Sequence, residues 1–301
     1  MIMSNGKLIA VWGSKDCGKT TLAVKLASKL AAMKRETILI HTDLLAPDIN
    51  VLMPEKKDIN TMGNLWAMPD CSIDTILKAC NVTDSKHLAV LSFRSGDNIF
   101  SFPEYTKENI MEIFMKLKNL AEFIIVDCVE AFAWNSITTV SLELADKVIR
   151  LGEPTMKSFS FYDSNLALLN DSRYRTDQHF KVLAKVKSNQ AKEIAISHFG
   201  GINVELPFVG ELEKQMLEGE LFQLTDNKEM KSYNAGIDNI LDVVFFEKKI
   251  EDNENIALTQ LDKKARKMQK PDSDKNSSTK AAANLKSVRS AFKSRKNKEV
   301  S

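Results

Sequence analysis

Apolar residues in this chain fall in short unbroken runs, separated by longer stretches with helical spacing. The runs are "KLIAVW" (7–12), "TILIHT" (37–42), "LAVLSF" (88–93), "FIIVDC" (123–128), "KVIRL" (147–151) and "FKVLAKV" (180–186), with "NVELPF" (203–208) as a further candidate. They are too short for helices and mostly lack polar alternation, so each predicts a strand covered on both faces. Between them, residues 20–33 place Leu22, Leu26, Leu30 and Met33 on one helical face. Residues 106–120 and 134–144 also predict helices, and a last helix from about residue 232 closes the pattern near Lys249. Buried strands alternating with helices specify a doubly wound, mostly parallel α/β sheet in three layers. No internal repeat interrupts this alternation.

The pattern stops near residue 250, which divides the chain into a domain over 1–250 and a tail over 251–301. The net charge of +2 hides an asymmetry: residues 262–301 hold 13 Lys/Arg against 4 Asp/Glu, and the remainder holds 29 against 36. An acidic body with a basic tail is not a basic protein, so the tail is a separate question. It is rich in Lys, Ser and Asn and poor in large apolar residues, which predicts disorder when free. Within it, Leu285, Val288 and Phe292 share a helical face flanked by Lys286, Arg289, Lys293, Arg295 and Lys296. Three readings stand: a solvated tail, a segment that docks on an anionic membrane or an acidic partner, or a nucleic-acid contact. The four scattered cysteines (Cys17, Cys71, Cys80, Cys128) include no CxxC pair and are expected to be reduced, which points to the cytoplasm. The four histidines show no metal-ligand spacing. No apolar stretch approaches the roughly 20 residues that span a bilayer.

The chemistry concentrates where the first strand ends. Residues 13–20, "GSKDCGKT", fit G-x-x-x-x-G-K-[ST], and they follow a predicted strand and open a predicted helix. Gly13 and Gly18 are expected to supply backbone torsions that other residues resist. The loop N–H groups then converge on a phosphate, assisted by the positive end of the following helix. Lys19 would reach the β- and γ-phosphates, and the Thr20 hydroxyl would meet Mg²⁺. A carboxylate must share that ion, and Asp127 ends a strand on the side of the sheet where ligands bind. Asp43 ends another such strand. Either it orients an attacking or metal-bound water, or it starts a loop as an Asx turn. Cys17, inside the loop, reads as a small filler or as a redox brake. The aromatic stretch "KSFSFYDSN" (157–165) reads as core helix.

Taken together, the phosphate loop with an extra lysine, the "D-x-x-x-P" segment from Asp43 and the strand ending at Asp127 resemble the MinD/ParA class of P-loop ATPases. Its TadZ/CpaE-like members, which place bacterial pilus and secretion machinery, are the nearest in look. The resemblance spans roughly residues 6–250. "LADKVIRLGEPTMKS" (144–158) is similar to the strand after the second switch, and "GINVELPFVGELEKQMLEGEL" (201–221) to the late strand, adenine-side proline loop and helix. It implies ATP and Mg²⁺, a slow ATPase acting as a spatial switch, and a homodimer that sandwiches two nucleotides for a larger bacterial assembly. Carried over by position, Gly13, Ser14, Lys15, Asp16, Cys17, Gly18, Lys19, Thr20 and Thr21 would cradle ATP with Pro207 beside the adenine. Lys19, Asp43 and Lys15 would serve catalysis, and Thr20 and Asp127 the metal. Three departures imply slow hydrolysis. Ser14 stands where the class has its extra lysine, His41 stands where a second acid is common, and "CVEAFAWNS" after Asp127 lacks a glycine. Lys15, one place late, is expected to span the shift on its flexible stem and approach the partner's phosphates. The alternatives are a DNA-partitioning ATPase, which the acidic body disfavours, and a scaffold that holds ATP without turning it over.

Overall fold

The computed structural model describes residues 6–190 and 192–248. The expected disorder of the tail falls outside the described residues. Among these residues, eight strands form one sheet: β1 (Lys7–Gly13), β2 (Thr37–His41), β3 (Asn81–Val82), β4 (Leu88–Leu91), β5 (Phe123–Asp127), β6 (Lys147–Gly152), β7 (Phe180–Val186) and β8 (Val204–Pro207). Their order is β3-β4-β2-β5-β1-β6-β7-β8, and every pairing is parallel except β3 with β4. The α/β sheet follows the expected doubly wound pattern.

Among the described residues, nine α-helices lie between or after the strands: α1 (Lys19–Ala32), α2 (Ile49–Leu52), α3 (Ile73–Ala79), α4 (Lys107–Leu120), α5 (Ser136–Leu144), α6 (Met156–Asn165), α7 (Lys192–His198), α8 (Gly210–Glu218) and α9 (Lys231–Ile240). Four of them start where a side chain takes an otherwise unpaired helix N–H: Ser72 from Thr75, Thr106 from Asn109, Asn135 from Thr138 and Thr155 from Ser158. The "KSFSFYDSN" stretch lies in α6, with Phe159 and Tyr162 buried. The last helix ends earlier than the periodicity implied. After Ile240 it widens into a π-turn over Leu241–Phe245, which still buries Leu241, Val244 and Phe245.

Side chains along a strand alternate between the two faces, and β1 shows how the two cores divide. Leu8, Ala10 and Trp12 enter the core under α4, α5 and α6, where Trp12 meets Phe132 and Tyr162 edge-on. Ile9 and Val11 enter the opposite core, built from Leu22, Leu26 and Leu30 of α1 and Ile237 and Ile240 of α9. Because both faces of β1 are filled, its carboxyl end, and the loop that follows it, cannot drift.

Candidate functional site

Parallel register brings the carboxyl ends of β1, β2 and β5 together. Val11 pairs with Asp127, and Asp127 pairs with His41. The phosphate loop leaves β1 at this edge. Gly18 adopts φ +91°, as expected for a residue that must turn left-handed. Gly13 is required for a different reason than its torsion. A Cβ there would stand 2.1 Å from the Leu151 carbonyl oxygen of β6, so close approach of two strands excludes any side chain.

The predicted site residues occupy this edge in distinct ways. Lys19 Nζ donates to the Ser14 carbonyl at 3.0 Å and lies 3.6 Å from a carboxylate oxygen of Glu130. The Thr20 hydroxyl donates to Asp127 Oδ2 at 2.6 Å. Asp127 is buried, and its Oδ1 has no hydrogen-bond partner. Ser14 is buried, with its hydroxyl 3.0 Å from that of Ser158. Lys15 and Asp16 are exposed, and Asp16 holds φ +61°, uncommon for a residue with a side chain. Cys17 is fully buried and its thiol is pushed up to about 11 by that burial, which leaves little thiolate and fits the filler reading. Asp43 Oδ1 accepts from the N–H groups of Leu45 and Ala46 at 2.8 and 3.0 Å, so the Asx turn forms.

Beside the loop lies a cavity of about 370 Å³. Gly18, Thr21 and Leu22 form one wall, and Pro207, Phe208 and Tyr233 stand among the residues of the other walls. Pro207 thus shares a cavity with the phosphate loop, 189 residues away in sequence from Gly18. Lys185 also lines it. This residue sits at a register irregularity of β7 with φ +53°, and its Nζ donates to the Asp16 carbonyl at 2.6 Å and lies 3.5 Å from Glu153.

Several polar residues here escaped the reading of the sequence. Glu130, Lys185 and Glu153 belong to no motif, although Lys185 nears a strand's carboxyl end as Asp127 does. In the sequence His41 counts only as a departure from the family pattern, and the histidines show no metal-ligand spacing. The fold sets His41 Nδ1 at 3.1 Å from Asp127 Oδ2 and 3.5 Å from Asp48 Oδ1, a grouping that sequence spacing conceals because Asp127 arrives from another strand. Burial pulls the His41 imidazole down, but Asp48 and Asp127 outweigh it and raise it to about 9. Burial raises the Asp48 carboxyl, partly offset by His41.

No protein-family model matches the chain. A ParA family ATPase from Chlorobium tepidum superposes with a TM-score of 0.64 at 12% identity, over 78% of this chain and 98% of that one. The septum site-determining protein MinD of Pyrococcus horikoshii, complexed with Mg-ADP, superposes with a TM-score of 0.61 at 15% identity, over 81% and 100%. The fold is that of the MinD/ParA P-loop ATPases. In sequence, an uncharacterised ATP-binding protein of Methanocaldococcus jannaschii is 23% identical over 198 residues, 66% of this chain and 70% of that protein. Within the MinD/ParA fold, the Thr20–Asp127 contact lies at the carboxyl edge of the sheet, where open α/β folds take their ligands. No helix among the described residues is long and apolar enough to cross a membrane.

Proposed function

We propose that this protein is a Mg·ATP-binding, slowly hydrolysing switch ATPase that works as a nucleotide-dependent homodimer in the cytoplasm, in places at the membrane periphery. One observation carries the reading: Thr20 and Asp127 meet at 2.6 Å at the end of a phosphate loop that opens into a cavity walled by Pro207. The residues fit the ligand. Asp127 Oδ1 is a buried acceptor without a partner, and the cradle at Gly13 tolerates no Cβ. Thr20 and Asp127 would hold Mg²⁺, which neutralises charge on the transferred phosphoryl group. Lys19 already donates within the loop and would exchange Ser14 for phosphate oxygens. The adenine would enter between Gly18 and Pro207.

By its likeness to TadZ/CpaE-like sequences, the switch would position or license a bacterial pilus, secretion or conjugation assembly. The basic tail supplies a docking element for an anionic membrane or an acidic partner, and nucleic acid is the less favoured target. A second reading, an ATP-bound scaffold without useful turnover, draws support from Asp43, whose Oδ1 is tied to two backbone N–H groups. Single-turnover hydrolysis separates the two.

Two triphosphates facing each other in a dry interface need positive charge between them. Lys15 is exposed in the loop and is the candidate. In ultracentrifugation Lys15→Ala is expected to lose ATP-dependent dimerisation while Mg·ATP affinity by calorimetry stays near wild type. A variant that dimerises with ATP as wild type does makes Lys15 a surface residue only. Wild-type protein that binds no Mg·ATP removes the proposal.

A further inference from the structure

Three side chains at the edge of the sheet are not used up by phosphate or adenine. One ligand atom from each of His41, Asp48 and Asp127 lies within 4.8 Å of the other two. His41 Nδ1 is 3.1 Å from Asp127 Oδ2 and 3.5 Å from Asp48 Oδ1. Donors that share one cation at about 2.0–2.2 Å stand roughly 3–3.5 Å apart. His41 is 2% exposed and Asp127 7%. Two carboxylate oxygens of the cluster, Asp48 Oδ1 and Asp127 Oδ1, lack any hydrogen-bond partner. Unfilled carboxylate oxygens in a dry pocket are costly, and native proteins rarely leave them so. Asp48 adds an independent sign. It occupies the position before α2 where an aspartate ordinarily caps the helix, yet its side chain makes no capping hydrogen bond. It faces His41 instead.

We propose that His41, Asp48 and Asp127 form a divalent-cation site that fills without nucleotide and takes a borderline first-row ion such as Zn²⁺ or Co²⁺. The donor set decides the ion. An imidazole nitrogen with two carboxylates suits zinc or cobalt, whereas Mg²⁺ prefers oxygen donors and keeps its waters. Residues from two adjacent strands and one helix start supply the ligands, so the site is rigid before the ion arrives. The consequence rests on the reading of Asp127 as the Mg²⁺ residue. Asp127 Oδ2 also takes the Thr20 hydroxyl, so an ion held by the cluster and Mg·ATP draw on one carboxylate and weaken each other.

The test uses full-length, metal-free and nucleotide-free protein. Titration with Co²⁺ is followed by visible absorption and with Zn²⁺ by calorimetry. The expected result is one ion per chain with micromolar or tighter affinity, unaffected by millimolar Mg²⁺. His41→Ala and Asp48→Asn are each expected to weaken zinc at least about tenfold. Asp48→Asn is expected to keep Mg·ATP binding and to lose its inhibition by zinc. The four cysteines are free and buried, which removes the usual competing zinc ligands. Wild-type protein that binds no Zn²⁺ or Co²⁺ overturns the site, because the three groups are then held together by a shared proton. His41→Ala binding zinc as wild type does overturns it too. Zinc binding without Mg·ATP binding would leave this site standing and remove the nucleotide reading; the reverse would do the opposite.

Discussion

Two of the three lysines of helix α1, Lys19 and Lys25, stand six residues apart and are treated by the fold in opposite ways. Lys19, at its start, has one carbonyl acceptor at 3.0 Å and a carboxylate at the longer distance of 3.6 Å. Lys25 is buried at 3% exposure and places its ammonium on three acceptors: Gln215 Oε1 at 2.6 Å, the Leu221 carbonyl at 2.7 Å and the Gln223 carbonyl at 2.6 Å. Burial lowers the Lys25 ammonium to about 8, yet every one of its three N–H donors is used. The difference separates two jobs for the same side chain. On the proposed reading, a charge that would meet a nucleotide is held by contacts it can exchange, while a charge that holds two segments together is saturated. Lys25 ties the phosphate-loop helix to the α8 region, whose residues Leu212 and Glu213 also line the cavity.

The largest effect expected from breaking this contrast is on binding. Lys19→Ala removes the ammonium from at least two phosphate contacts, a loss of about 3 kcal/mol or more and hence a hundredfold or greater loss of Mg·ATP affinity by calorimetry. Its melting temperature without nucleotide should barely move. Lys25→Met should do the reverse. It strands the Leu221 and Gln223 carbonyls and Gln215, at about 2–3 kcal/mol of stability read from urea unfolding. Its nucleotide affinity should fall only a few-fold. If the two variants exchange these signatures, the distinction between exchanged and saturated contacts is wrong.

A second pair sharpens the same contrast at smaller amplitude. His41, beside two aspartates, is raised to about 9, whereas His179 is lowered to about 4 by burial, against a helping hydrogen bond to the Tyr174 carbonyl and near the cations Arg150 and Arg175. The signs of their linkage are opposite. His41 stabilises the fold below its unfolded value near 6.5, and this contribution is lost as pH rises towards 9. His179 costs nothing above 6.5, and its burial destabilises the fold progressively as pH falls towards 4. Urea unfolding across pH 4–9 should therefore show His179→Gln flattening the acid limb alone and His41→Gln the alkaline limb alone. The smallest effect is expected at Trp134, which is 92% exposed beyond β5. Trp134→Ala should alter stability by less than about 0.5 kcal/mol, as for a surface position.

Much of this was legible in the chain. The six strands read as apolar runs all form, because a strand buried on both faces needs nothing but such a run. Strand β3 was not foreseen: Asn81–Val82 is two residues long and has no period to detect. Helix α7, over Lys192–His198, is only seven residues long and buries only Ala195. At the site, Lys19, Thr20 and Asp127 announced themselves through local patterns with a chemical reason. Glu130, Lys185 and Asp48 did not, since each earns its place only beside a distant partner.

The sequence by itself determined the layers, the phosphate loop and the carboxylate that faces Thr20, because these depend on short-range periodicity and on one strand–loop–helix unit. The tertiary structure alone decided which groups converge at the carboxyl edge. His41 meets Asp127 because β2 and β5 lie side by side in parallel register, and Lys185 reaches Asp16 across 169 residues because β7 lies two places from β1 in the sheet. Strand order is set by how both faces of the whole sheet pack at once, and no local stretch of chain records that.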